Sequence, residues 1–539
     1  MSSKTTIYDV AIIGSGLGSL ACASFIAQMY GRRVVVIEQH SHPGGLSRAL
    51  DAGKDASFEI GIHQVGELEP SSMFSKLMAY ISQGRSVWRR LPETFIKFHF
   101  PDFVYEVTAG EANQVRKLSE LFPGEREQIA AYYRDVASIT RWYRNYTTES
   151  TTGNKKRLLE LLDSDPGRLA MMTTNEYLRY RFTDDKLRSL IASHWTDYGL
   201  PPSLSAFLKH AILVNNHKEG VYYPEFGSTH LISSIVKGIE DAGGEFMFNS
   251  LVKEIRYEGN RAGAMTVVDK LTSEETTIQA EVIISGIGIV NTYTRLLDRR
   301  LVGPQLEALG DLSRHGVSFV SLYATLTDSP ETIGADASLS WVYPGYDHDR
   351  NFYDRGGLGT GWVSQFSLSF PSLKKSGGLK HTMKINTLAD FFMFKECDRE
   401  KIAQSLLAAA EKVCPGLNGL IESWELYTPL AARRDTQHHN GNIFGMPDTP
   451  ERFRNMDFSC YTPLENVYLT GCDITTSGIY GAVLSGAITA SAVYKDKRFF
   501  LNIIEGVEKY GGVEKCQGVE KYSTVRGVDE NEMVREVEV

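Results

Sequence analysis

The sequence predicts an α/β fold: a Rossmann-type nucleotide-binding domain assembled from separated segments, with an α+β domain inserted between them. Three observations predict it. Residues 8–38 read as strand, glycine turn, helix and strand, the order and length of one βαβ unit. Residues 466–470 form another short apolar run far along the chain, followed by a stretch at 478–494 rich in small residues and periodic as a helix. Between them, a long helical region gives way to short β-like runs. The 539 residues, 42% hydrophobic and 23% charged, leave room for two or more domains with real cores.

In chain order, residues 8–13 and 33–38 read as buried strands flanking a helix at 20–30. From 71 to 218 the pattern is mostly helical, best at 125–146 and 184–194. A helix at 231–242, a strand and turn at 245–255 and a buried strand at 281–285 follow. Residues 318–326 and 362–370 read as strands, and 398–413 as a helix. The nucleotide domain is therefore expected from residues 1–75, 215–300 and 460–497, and the substrate domain from 76–214 and 301–459. In the last segment, 498–539, Gly506-Val507-Glu508-Lys509-Tyr510 recurs closely from Gly512 and from Gly518. That repeat is too short and polar to build a core, so the tail is expected to be disordered.

Composition limits the function. A net charge of −9 lacks the basic footprint of a general nucleic-acid binder. Six cysteines without a C-x-x-C pair or ligand spacing point to free thiols in a reducing, cytoplasmic compartment. No apolar leader and no run of about 18 apolar residues is present. No metal site is apparent either, since the adjacent His438 and His439 suit one face poorly.

The chemistry starts at Gly14-Ser15-Gly16-Leu17-Gly18-Ser19. The first glycine makes the tight turn, and the second lets backbone approach a pyrophosphate. The helix N-terminus then offers free N–H groups, with Ser19 as the small residue at the third glycine's place. Glu38 ends the second strand, where an acid accepts hydrogen bonds from ribose hydroxyls. After it, Gly44-Gly45-Leu46-Ser47-Arg48 brings a loop near the cofactor, and Arg48 either neutralises pyrophosphate or anchors that loop. Late in the chain, Gly471-Cys472-Asp473 places a carboxylate at a strand end. Gly481 lies in the first turn of a helix whose N-terminus stabilises negative charge.

These three segments resemble the carotenoid isomerase, phytoene desaturase and retinol saturase branch of the FAD-dependent amine oxidase superfamily. Phe58-Glu59-Ile60-Gly61-Ile62-His63, Asp197-Tyr198-Gly199-Leu200-Pro201-Pro202 and Tyr222-Tyr223-Pro224 extend the resemblance over about residues 7–495. Cys472, Tyr480 and Glu225 depart from the branch's usual residues. The resemblance implies tightly, non-covalently bound FAD and adds Gln39, Leu46, Ile62, His63 and Val252 to the cofactor-binding set. It implies chemistry on the double bonds of a long apolar polyene. The first reading is reduction of a retinoid, carotenoid or related lipid. The second is isomerisation of carotenoid or polyunsaturated fatty-acid double bonds without net redox change. The third is a non-catalytic lipid-binding flavoprotein.

His63 follows the segment that resembles the flavin-facing strand, so it is a candidate proton donor or acceptor, with Tyr480 and Glu225 behind it. The electron donor or acceptor is not identified by any second glycine-rich βαβ unit. Peripheral membrane contact is expected at Met73, Phe74, Leu77, Met78 and Ile81 before Trp88, or at Arg141-Trp142-Tyr143-Arg144. The alternative for both stripes is packing inside the substrate domain.

Overall fold

A computed structural model describes residues 6–51, 56–310, 316–378, 380–395 and 397–513. The chain starts with strand β1 (Thr6–Ile13), helix α1 (Leu17–Tyr30) and strand β2 (Val34–Ile37). All four residues of β2 are buried, as in parallel strands covered by helices on both faces. Strand β3 (Ser57–Glu59) and helix α2 (Met73–Ile81) follow.

Two strands then stand where the sequence pattern suggested helix. β4 (Thr94–Phe100) and β5 (Phe103–Thr108) form an antiparallel hairpin. Residues 95, 96, 98 and 100 of β4 are buried, and apolar and polar residues alternate over its second half. That is the period of a half-covered strand, masked in the sequence by its aromatic bulk. The long helix α3 (Arg126–Thr152) and helix α4 (Phe207–His217) build the helical part of the insert. Helix α5 (Gly227–Asp241) leads back to β6 (Glu245–Met247), β7 (Ser250–Glu258), β8 (Arg261–Asp269) and β9 (Glu275–Ser285). The insert resumes with β10 (Ser318–Leu326), β11 (Leu339–Val342), β12 (Phe366–Ser369), β13 (His381–Ala389) and β14 (Ile421–Tyr427). The chain returns once more with β15 (Val467–Leu469), helix α6 (Ile479–Tyr494) and helix α7 (Phe499–Glu508).

Among the described residues the strands form two seven-stranded sheets and two two-stranded ones, with β3 in one of the latter. The first has the order β7-β8-β9-β1-β2-β6, with β15 also pairing β9. β1 runs parallel to β2 and β9, so its C-terminal end opens at a crevice between parallel neighbours, the place where open α/β sheets bind ligands. The second sheet has the order β14-β10-β13-β12-β11-β4-β5. Parallel pairing of β11 with β4 ties the hairpin to strands that lie more than 200 residues later.

Helix α6 lies on α1 with little space between them. A Cβ on Gly486 would meet Ala21 Cβ, the Cys22 amide nitrogen and the Gly18 carbonyl oxygen, each at 2.8 Å. Glycine thus permits helix contact closer than any side chain allows.

Two expectations fail here. Residues 499–508 are helical, with Phe499, Ile503 and Val507 buried, so the start of the tail is folded onto the body. The repeat copy from Gly518 lies outside the described residues. The amphipathic stripes are also internal: Phe74, Leu77, Met78, Ile81, Trp88, Trp142 and Tyr143 are all buried. Apolar contact inside the protein has claimed the surfaces expected to meet lipid. Among the described residues, no helix is long and apolar enough to cross a membrane, and no group of His, Cys, Asp or Glu is arranged to hold a metal.

Candidate active site

The turn after β1 meets the loop after β2 at the mouth of a cavity of about 380 Å3, within the ~300–1,000 Å3 of small-molecule sites. Gly14 has φ +86°, a conformation that favours glycine. At Gly16 an added Cβ would meet nothing within 4 Å, so that part of the turn is open space. At Gly18 it would approach Gly471 Cα, Ala482 O and Ser485 Oγ at 3.0 Å, so Gly18 serves helix packing.

Glu38 is buried at the same end. Its carboxylate accepts hydrogen bonds from the Ser15 amide (2.9 Å) and hydroxyl (2.6 Å) and from the His40 amide (2.9 Å). Ser19 lines the cavity, and its hydroxyl is buried without a partner. An acid at the strand end and an unpaired hydroxyl at a helix start match a dinucleotide with a ribose and a pyrophosphate. Gln39, Gly45, Leu46, Gly471 and Asp473 line the same cavity. The Asp473 carboxylate accepts from the backbone amides of Ile289 (2.8 Å) and Met446 (2.7 Å). It therefore pins two cavity-lining segments and is already committed to backbone.

Other expected residues stand apart. Arg48 is not on the wall: its guanidinium pairs with Asp435 at 2.7 Å, which makes it the loop anchor. Ile62 and Val252 are buried outside the lining. Gly481 is also behind the wall, where a Cβ would collide with the Thr476 carbonyl oxygen. Glu225 is held by Arg89 through two hydrogen bonds of 2.6 and 2.8 Å, away from the cavity. Burial tends to raise its pKa, but the Arg89 and Ser376 hydrogen bonds win and lower it. Glu225 thus stands ion-paired and apart from the residues that line the cavity.

His63 does line the cavity. Burial, then the charges of Lys384 and Lys374, holds its pKa well below the usual histidine range. That shift favours the neutral ring and weighs against a proton-donor role for it. Asn386 Nδ2 lies 3.3 Å from its Nε2. Tyr480, in the first turn of α6, lines the cavity too. Burial raises its pKa, with the charge of Glu67 adding to the shift, so the phenol keeps its proton.

The sequence reading missed several wall residues. Gly286 and Gly288 follow β9 at the crevice, a signal visible as glycines after a buried strand. Lys209 on α4 is buried, and its Nζ donates to the Ser477 carbonyl at 2.6 Å, just ahead of α6. Burial lowers its pKa, while Asp448, 3.8 Å away, opposes that shift. Asp197 lines the cavity and accepts from Trp341 Nε1 at 3.1 Å. No local pattern could have joined residues so far apart in sequence.

Residues 12–81 match the NAD(P)-binding Rossmann-like domain family. The chain is 26% identical to an all-trans-retinol 13,14-reductase of Danio rerio, across 92% of this chain and 87% of the relative. It is 24% identical to a chloroplastic prolycopene isomerase of Daucus carota, across 91% and 80%. The chain is thus similar over most of its length to retinol reductases and prolycopene isomerases. A putrescine oxidase structure shares the fold, with a TM-score of 0.63 at 15% identity over 92% of this chain and 100% of that one. FAD is the dinucleotide that this chain's cradle takes.

Proposed function

We propose that the protein is an FAD-dependent oxidoreductase that reduces a double bond of a long apolar polyene, a retinoid, carotenoid or related lipid. The observation that carries this reading is the continuity of one cavity. The glycine cradle at one end opens onto an apolar wall of Ile212, Leu213, Phe319, Trp341 and Phe444 from the insert. Bound FAD supplies hydride exchange at its N5.

The protein's own residues supply position and the proton. Reduction of a double bond adds a hydride and a proton, so an acid must lie near the second carbon. Tyr480 is a cavity-lining group, in the first turn of α6, that keeps its proton at pH 7 because burial raises its pKa. Lys209 and the N-terminus of α6 bring positive charge to the cavity wall and would stabilise a reduced cofactor held there. The apolar wall holds the chain and excludes water. A donor outside this chain must then restore the cofactor's electrons.

The relation to prolycopene isomerase favours a second reading, isomerisation without net redox change. One anaerobic experiment separates the two. Photoreduced holoprotein is mixed with all-trans-retinol or a carotenoid, and flavin and polyene absorbance are followed together. Stoichiometric flavin oxidation with loss of conjugation supports reduction. Rearranged double bonds with unchanged flavin assign isomerisation. Unchanged flavin and polyene, with every substrate tried, would sink both.

A further inference from the structure

A substrate that fills the cavity shuts Tyr480 off from water on that side, so a proton given by its phenol must return from behind the wall. Two charged side chains stand there, Glu67 and Arg144 on α3, and neither lines the cavity. Arg144 Nη2 lies 3.6 Å from Glu67 Oε1. Burial raises the Tyr480 pKa and the Glu67 charge adds to it, while the Arg144 guanidinium opposes both, so both groups are within electrostatic reach of the phenol. The pair also spans the depth to solvent: the Glu67 side chain is 13% exposed and that of Arg144 54%.

Glu67 is held there under strain. Its φ is +54°, in the left-handed region that a non-glycine residue rarely adopts. Such strain persists only where the surroundings over-determine it, and it gathers at functional sites. Here the Glu67 amide donates to the Asn216 carbonyl (2.9 Å), its carbonyl accepts from the Ser72 hydroxyl (2.5 Å), and Oε1 accepts from Asn215 Nδ2 (3.0 Å). Contacts from the end of α4 and from the start of α2 thus fix the carboxyl beside Arg144. Burial raises the Glu67 pKa, against the charges of Arg144 and Lys218 and the Asn215 hydrogen bond. Glu69 is a second carboxyl within electrostatic reach of it. A carboxyl shifted towards neutral pH takes up and releases a proton more readily there than an exposed one.

We propose that Glu67 returns a proton to Tyr480 after each reduction and that Arg144 stabilises the phenolate in between. This rests on the polyene reduction proposed above. Hydride adds to one carbon of the double bond; the Tyr480 O–H bond breaks, and its proton forms a C–H bond at the other carbon. Glu67 then gives its carboxyl proton to the phenolate oxygen, and its carboxylate takes a proton from solvent. No electrons move after the hydride. The transfer from Glu67 runs downhill, because a phenol holds its proton more tightly than a carboxyl does.

The test compares single with multiple turnover of all-trans-retinol by anaerobic FAD-loaded protein. A photoreduced enzyme given one equivalent uses the proton that Tyr480 already holds. With dithionite as electron source, that proton must be reloaded in every cycle. Glu67→Gln keeps an acceptor for Asn215 but delivers no proton from a carboxyl. It should slow multiple turnover at least about tenfold more than single turnover, and added imidazole, whose cation is a small acid, should restore the rate in proportion to its concentration. Arg144→Met should slow the single turnover by up to about tenfold, the effect of one unit in the phenol's acidity, and Arg144→Lys should recover most of it. Equal slowing of both phases by Glu67→Gln, parent-like rates in both, or no rescue by imidazole would each overturn the relay and leave the polyene reading standing. Should Glu67→Gln lose FAD or fail to fold, the Arg144 pair decides, because a parent-like single turnover in Arg144→Met overturns the proposal. A parent that leaves the polyene unreduced brings down the polyene reading and the relay with it.

Discussion

The two ends of the cavity are built by different means. At the cradle, backbone does the shaping: Gly14, Gly16 and Gly18 fall within five residues, and Glu38 arrives one strand later. At the far end, side chains do it: Gln64, Asp197, Lys209, Asn216 and Trp341 come from the loop after β3, the helical region and the second sheet. A site made by local backbone geometry has little tolerance at each position. A site made by distant side chains can be retuned one residue at a time while the fold stays fixed. The variants below test that contrast.

The largest effect belongs to the cradle. Gly18→Val inserts atoms where even a Cβ approaches backbone of Gly471 and Ala482 at 3.0 Å, so the purified protein should lack the flavin spectrum and take up no added FAD. Retention of FAD would show that the cradle is as adaptable as the chamber. Next comes Tyr480→Phe, which should keep FAD and slow polyene turnover by roughly 10²–10⁴, the usual contribution of a positioned acid. A rate within a few-fold of the parent would remove the phenol from the chemistry.

Glu38→Ala should weaken FAD binding by about 1.5–3 kcal/mol, the range for hydrogen bonds to charged groups, measured by equilibrium titration of the apoprotein. A smaller effect depends on pH. Burial holds Lys384 down to about 7, and its Nζ donates to the Glu59 and Ile60 carbonyls. Its folded pKa lies below its unfolded value, so between pH 7 and 10 the unfolded state binds more protons, and this lysine's contribution to stability rises with pH. The melting temperature of the parent relative to Lys384→Met should therefore rise from pH 6.5 to pH 9.5. A constant gap would mean that the ammonium is not destabilised by burial. The smallest effect is expected for His63→Gln, where a neutral ring gives way to a neutral amide. Its turnover should follow the parent's pH profile from 6 to 8, and loss of an ionisation from that profile would restore His63 as a titrating group.

The same contrast explains what could be read from sequence. The βαβ unit and the strand–helix pair at the far end announce themselves through spacing of glycines and apolar runs, because each is completed by neighbours in sequence. Arg48 showed the limit of that reading: its position near the cradle was legible, but its partner, Asp435, is 387 residues away. His63 was legible as a cavity residue through the segment before it, but its charge state was not. That state depends on Lys374 and Lys384, two lysines that the second-sheet region brings against it. Strand β4 was missed because one of its two neighbours, β11, lies far along the chain, beyond any local window, and β5, which pairs only with β4, was missed with it. Lys209 reads as an ordinary helix lysine until Ser477 and Asp448 are folded against it.

The late return of the chain to the first sheet also sets an order of events at the ribosome. The cradle glycines emerge first, but β15 and α6, which pair with β9 and cover α1, are made only after residue 466. Until then the nascent chain carries β1, β2 and α1 with part of their apolar surface uncovered, a state that invites association with other chains. Contacts of such sequence separation also form slowly, because a long loop must close before they stabilise anything. Cofactor binding in this protein is thus a late step of synthesis, although its glycine signature is made long before β15.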